Sequence, residues 1–264
     1  MRFATTLTQT SSTHPPLVLI HGLGSAATAF KPIIGQLSNS FRVITVDLPG
    51  HGQSPYVEGE SMEPKSLAGA IFEAVASEYA IEKFHVAGNS LGGWIALEMA
   101  ALKPDAIMSL TGLAPAGLWL KPAAGRLPSE ARSYYLAKAL KPFLKVGLRF
   151  KILRKIGFAT VSPDWQALSY EICFDASSAM ANCRGYFPAW DAMLTRRFDS
   201  QVAPSVPMVI LFGDSDNTLP YPISQERSLA PAHSTWLMID ECGHAPMWDH
   251  PDLVVKIIQQ VASR

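Results

Sequence analysis

Apolar positions along the chain fall into two alternating patterns. Short runs rich in β-branched and other apolar residues at 17–21, 41–47, 84–88 and 107–113 end in Gly, Pro or Asp, and predict buried strands. Longer stretches at 29–37, 65–79 and 91–102 carry helical spacing. After Pro115 the alternation stops, and 116 to about 200 reads as helix-rich, broken at Pro122, Pro128, Pro142, Pro163 and Pro188. It resumes with a strand at 207–213, a helix near 224–230, a strand at 235–240 and a last helix from about 252 to 262. The pattern predicts an α/β fold, a mostly parallel sheet flanked by helices. Residues 1–115 and 201–264 are expected to form its core, and 116–200 an inserted helical lid over one end of the sheet.

Parallel sheets of this kind place their chemistry at the carboxyl ends of the strands. Four strand ends here carry suitable groups: His21-Gly22-Leu23-Gly24, Gly88-Asn89-Ser90-Leu91-Gly92, Gly213-Asp214-Ser215-Asp216 and Cys242-Gly243-His244. The second is a G-x-S-x-G motif between an apolar run and a helical pattern, the strand–turn–helix context of a nucleophile elbow. Such a turn holds its serine strained and exposed, and it crowds the positions two residues either side, where Gly88 and Gly92 stand. It also aims the backbone N–H of Leu91 at an attacked carbonyl. A nucleophile, an acid and a base therefore occur in the chain order Ser, Asp, His.

With HGLG at 21–24, DLPGHGQS at 47–54, GNSLGG at 88–93, GDSDNTLP at 213–220 and GHAPMWDHP at 243–251, the chain resembles the α/β-hydrolase superfamily, in its serine-nucleophile branch with a helical cap after the sixth strand. The resemblance runs from about Leu17 to the C-terminus. It is weakest before Leu17, where many relatives open with a β-hairpin and this chain has room for one strand. It implies a catalytic Ser90, with His244 as general base and Asp216 orienting the imidazole. Backbone N–H groups of Leu91 and Leu23 would form the oxyanion hole, supported by His21, Gly22 and Gly24. No metal or organic cofactor is implied.

Each assignment has a rival. Asp214 competes with Asp216, although the family's acid occupies the fourth position of G-x-x-D. His250 competes with His244 and suits the turn into the last helix. His21 reads as a structural residue of the oxyanion loop, and Asp47 and His51 as shaping the DLPGHG turn. His14 and His233 read as surface, His85 as a satisfied strand residue, and Cys242 as structural.

Composition narrows the class. A chain of 264 residues with 48% apolar and 17% charged residues suits one large α/β domain with an insertion, not a disordered chain. Its longest apolar runs are too short to span a bilayer, and the N-terminus lacks a signal-peptide pattern. Cys173, Cys183 and Cys242 have no metal-ligand spacing, which with the absent signal points to a reducing, cytoplasmic setting. Nucleic acid is not an expected partner.

Two features stay open. Of 25 aromatic residues, 13 fall between Trp119 and Phe198, among them Tyr134, Tyr135, Trp165, Tyr186, Phe187 and Trp190. They build the cap's own core or line a hydrophobic acyl or aryl pocket. Between Lys121 and Lys155 stand ten basic residues and one acid, Glu130, in a chain of net charge zero. Apolar residues at 143–156 fall all round a helical wheel, which is not a clean membrane-surface amphipath; a solvated basic face is the default reading, and an attractor for an anionic substrate, an acyl carrier or a lipid surface the sharper one.

The expected activity is that of a carboxylesterase of class EC 3.1.1 acting on a small-molecule ester. A serine at the elbow argues against the alkyl-enzyme chemistry of relatives that use aspartate. Hydrolysis of a carbon–carbon bond in a ring-cleavage product is the nearest alternative, though Ser25, Ala26 and Ala245 depart from that group's pattern. Lyase or acyl-transfer chemistry on an anionic substrate, and a ligand receptor on the same fold, are the others.

Overall fold

The apolar runs become the strands of one sheet in the computed structural model, which describes residues 1–8, 13–125 and 131–264. Seven strands are described: β1 (Ala4–Leu7), β2 (Pro16–Ile20), β3 (Arg42–Asp47), β4 (Phe84–Asn89), β5 (Ile107–Leu113), β6 (Met208–Gly213) and β7 (Thr235–Ile239). Their order is β1-β3-β2-β4-β5-β6-β7, with β1 antiparallel to β3 and every other pairing parallel.

The inner strands are mainly apolar because both faces of the sheet are covered there. On β2, Val18 and Ile20 point to one face while Leu17 and Leu19 point to the other. On β6, Met208, Ile210 and Phe212 share the first face and Val209 and Leu211 the second. Helices α2 (Pro64–Tyr79) and α3 (Leu91–Leu102) bury their apolar sides on the first face. Helices α1 (Lys31–Leu37), the short α9 (Pro246–Asp249) and α10 (Pro251–Ala262) cover the second.

Between β5 and β6 the described residues form five helices: α4 (Arg132–Leu140), α5 (Leu144–Gly147), α6 (Lys151–Phe158), α7 (Tyr170–Asn182) and α8 (Tyr186–Leu194). Counted along this chain, the insertion follows the fifth described strand. The family count of six includes a second N-terminal strand, and β1 is the one described here. Arg126, Pro128 and Glu130 of the basic stretch lie outside the described residues.

One expected element is shorter than its pattern. The helix anticipated near 224–230 is a single 3-10 turn at Arg227–Leu229. Pro222 and Pro231 bracket it, and the Glu226 side chain accepts a bond from Ser228 N–H at 3.0 Å, a local closure that competes with helix growth.

Candidate active site

The chain leaves β2 for β3 on one side and later returns to β4 on the other. The carboxyl ends of β2 and β4 thus flank the point where strand order reverses, the position where open α/β sheets bind ligands. Ile20 pairs with Gly88, so the residues just beyond these strands, Gly22 and Ser90, come face to face. A Cβ built on Gly22 would stand 2.9 Å from the Ser90 Cβ.

Ser90 links β4 to α3 with φ 55° and ψ −118°, a left-handed conformation that a non-glycine residue adopts at a cost of about 1–3 kcal/mol. Surrounding bonds enforce it. Ser90 N–H donates to Leu113 O at 3.0 Å, and Ser90 O accepts from Ala116 N–H at 2.9 Å and Trp94 N–H at 3.1 Å. A Cβ at Gly92 would stand 2.0 Å from Ile20 O, and one at Gly88 would stand 2.1 Å from Gly92 O. These two glycines permit the crossing that the elbow needs. Leu91 opens α3, so its N–H has no intrahelical acceptor.

Asp216 and His244 follow β6 and β7 and meet in a buried pair, with Asp216 Oδ2 and His244 Nδ1 2.8 Å apart. Asp216 Oδ1 accepts from Thr218 N–H at 2.9 Å and Leu219 N–H at 2.8 Å, which fixes the carboxylate plane. An ionised carboxylate only accepts, so Nδ1 carries the imidazole proton and Nε2 keeps its lone pair. Asp214, the rival acid, is exposed and turns instead to Ser215 Oγ at 2.9 Å. His250 caps the start of α10, as its position suggested, with Nε2 3.3 Å from Glu241 O.

The supporting histidines are structural. His21 is fully buried; its Nε2 accepts from Leu48 N–H at 3.0 Å, and its Nδ1 donates to Gly22 O at 2.7 Å. Burial holds its pKa down at about 4, so its 3.7 Å approach to Asp47 Oδ1 is not an ion pair. His51 is also buried and held at about 3, by burial first and then by the neighbouring His21. Asp47 ties the two loops together, accepting from Ala27 N–H at 2.7 Å and Gln53 N–H at 2.9 Å. His85 bonds Ser109 Oγ at 2.8 Å within the sheet. His14 and His233, expected at the surface, are half-buried. The Cys242 thiol is pushed up to about 12, first by burial and then by the nearby carboxylates, which disqualifies it as a nucleophile.

Several residues that position the site escaped the sequence reading. Asn89 Nδ2 donates to both Leu113 O and His244 O at 3.0 Å, joining the elbow to the histidine loop. His244 N–H donates to Val161 O at 2.7 Å, a bond from the helical insertion. Asp249 holds the same loop, accepting from Gly243 N–H at 2.7 Å and Ser162 Oγ–H at 2.5 Å. The only sequence signal for Asp249 was its place in the C-terminal motif.

The insertion also lies on the first loop. A Cβ at Gly24 would fall 2.6 Å from Met180 and 2.9 Å from Tyr186. Leu23 packs with Met180, Phe187 and Trp190 around a small core of Tyr134, Cys183 and Tyr186. In that core the Tyr134 and Tyr186 rings stack at 4.8 Å. The aromatic residues of the insertion thus include a layer directly over Leu23.

Comparison with known proteins bears on the family and the fold. Residues 17–257 match the alpha/beta hydrolase family. The chain is 28% identical over 249 residues to a pimeloyl-[acyl-carrier protein] methyl ester esterase from Aliivibrio salmonicida, covering 92% of this chain and 90% of that protein. Carboxylesterase CesB (YbfK) from Bacillus subtilis superposes with a TM-score of 0.72 at 16% identity, over 98% of this chain and 87% of that one. Naproxen esterase (carboxylesterase NP) from Bacillus subtilis gives 0.69 at 21% identity, over 98% of this chain and 86% of that one. At such identities the structural likeness is one of fold. The chain belongs to the alpha/beta hydrolase family.

Proposed function

We propose that the protein is a serine hydrolase of the carboxylesterase type (EC 3.1.1), cleaving a small-molecule ester through an acyl-enzyme on Ser90. One observation carries the reading: the Asp216–His244 pair is tethered through Asn89 to the strained Ser90, with Gly22 against that serine. The names of the curated relatives support a carboxylic ester as the substrate class.

A serine hydroxyl is a weak nucleophile, so His244 Nε2 takes its proton as Oγ attacks the ester carbonyl. Leu91 and Leu23 N–H groups receive the oxyanion, each such donor contributing roughly 3 kcal/mol in the transition state. The tetrahedral adduct collapses with loss of the alcohol, which takes the proton from His244. Water, deprotonated by His244 in turn, attacks the acyl carbon and releases the acid with Ser90 restored. Asp216 holds the tautomer and offsets the imidazolium charge throughout. Residues 116–200 act as a cap, and the aromatic layer over Leu23 forms the acyl-binding wall.

The test is turnover of p-nitrophenyl esters from acetyl to long-chain acyl groups, with Ser90→Ala as control. Turnover lost in Ser90→Ala and a fluorophosphonate adduct on Ser90 are the expected results. Folded wild-type protein that turns over none of these esters but cleaves a carbon–carbon bond in a ring-cleavage product would overturn the ester assignment. Stoichiometric labelling with little turnover would point to a receptor.

A further inference from the structure

The basic segment is not one continuous helix. It breaks at Gly147–Phe150 into α5 and α6, which rest on one small core. Leu144 of α5, Leu148 just after it and Phe158 of α6 enter that core beside Leu168 and Cys173. A Cβ at Gly147 would stand 3.0 Å from Leu153 Cδ1, so the two helices adjoin there. With their inward sides accounted for, the remaining side chains face away from the core.

Those side chains are strongly apolar. Phe143, Val146, Phe150, Ile152 and Ile156 are 66, 61, 58, 63 and 55% exposed, a concentration a solvated surface does not need. Lys141, Lys145, Arg149, Lys151 and Lys155 are exposed among them, and none pairs with a carboxylate among the described residues. No acidic residue occurs from 131 to 163. On α6 the pairs Ile152/Ile156 and Lys151/Lys155 each recur at i, i+4, giving an apolar stripe beside a basic one.

We propose that the outer face of α5 and α6 docks on an anionic lipid bilayer, its apolar side chains entering the headgroup–acyl boundary and its cations meeting lipid phosphates. Charge complementarity names the lipid's sign. The residue types favour a bilayer over a folded acidic protein: four of the five cations are Lys, which protein interfaces avoid, and the apolar set of two Phe, two Ile and one Val lacks the Trp and Tyr that anchor protein interfaces. Lysine stems lie along apolar surface while their ammonium groups reach the headgroups, as interfacial helices require. No described helix is long and apolar enough to cross a membrane, so the contact is with the membrane surface.

Co-sedimentation of the full chain with vesicles tests this independently of any ester activity. Vesicles of equimolar phosphatidylglycerol and phosphatidylcholine should bind it at least about tenfold more tightly than phosphatidylcholine alone, with loss in high salt. Lys151→Gln/Lys155→Gln should weaken binding by roughly fivefold per lysine. Ile152→Ser/Ile156→Ser should weaken it by about tenfold or more while leaving circular dichroism and turnover of a soluble ester unchanged. Equal binding to both vesicles, no binding to either, unchanged binding by both variants, or capture by an acidic polypeptide without vesicle binding would each overturn the proposal.

Discussion

Replacing Asp216 with Asn tests the proposed acid and its rival in one experiment. The carboxylate makes three contacts: Oδ1 accepts from two backbone N–H groups, and Oδ2 meets His244 Nδ1. An asparagine keeps the first two only by placing its amide oxygen at the Oδ1 position, because a flipped amide would set its NH2 against two N–H donors. The amide nitrogen then points at His244 Nδ1 and makes that atom an acceptor. The proton moves to Nε2, and the imidazole can no longer deprotonate Ser90. Loss of the correct tautomer with geometry intact costs on the order of 10⁴ in kcat, about 5.5 kcal/mol of transition-state stabilisation. Asp214→Asn alters an exposed carboxylate that bonds Ser215 and the backbone of Glu241 and Cys242, away from the Asp216–His244 pair, and should leave kcat within about twofold. Steady-state turnover of an activated ester for both variants, with thermal unfolding to show that each is folded, decides the matter. An Asp216→Asn enzyme retaining a tenth of wild-type kcat, or a crippled Asp214→Asn, would refute the reasoning.

Gly92→Ala should prevent stable folding, since its methyl would stand 2.0 Å from Ile20 O, whereas Gly69→Ala, which meets nothing within 4 Å inside α2, should stabilise by about 0.5–1 kcal/mol; urea denaturation compares them. His21 titrates at about 4 when folded against 6.5 when unfolded, so the unfolded chain binds more protons between these values and stability falls as pH drops through that window, by about 3 kcal/mol. His51 acts in the same direction, but the rings lie 5.4 Å apart and their losses do not simply add; His21→Asn should be less stable at neutral pH and lose less on acidification, read from unfolding midpoints. Asp249→Ala frees Gly243 N–H and Ser162 Oγ and loosens the histidine loop; kcat should fall roughly tenfold with KM little changed, while Asp249→Asn, which can still accept from Gly243, should recover most of it.

The sheet was legible because it is buried on both faces: Val18 and Leu19 needed different neighbours but the same chemistry, so the strand announces itself as an unbroken apolar run. The site was legible for a different reason. Gly22, Gly88 and Gly92 mark backbone crossings that forbid a side chain, and such constraints leave a local trace. Hydrogen bonds across the fold leave none. Nothing in Asn89 announces that its amide would reach His244 O, 155 residues on, or in Val161 that its carbonyl would hold the proposed base. A helical wheel over 143–156 presupposes one continuous helix, and the break at Gly147–Phe150 reassigns which residues face out.

These long-range bonds bear on how the insertion should be understood. A cap that merely covered a finished site would touch it through side chains. Here the insertion supplies the acceptor for His244 N–H, and the Ser162 hydroxyl that bonds the carboxylate bracing Gly243. On the opposite rim, Gly50 O accepts from both Arg184 N–H and Gly185 N–H, so the start of α8 is fastened to the turn that also holds Asp47 and His51. The insertion therefore grips the core at the histidine loop and at the loops beside the proposed oxyanion donors, one contact on each side of Ser90. Movement of α4 to α8 as a body would be felt by the proposed base through one peptide bond's N–H. In this architecture the insertion that we propose as the cap also supplies hydrogen bonds that position the proposed base, so it is part of the proposed site and not only its cover.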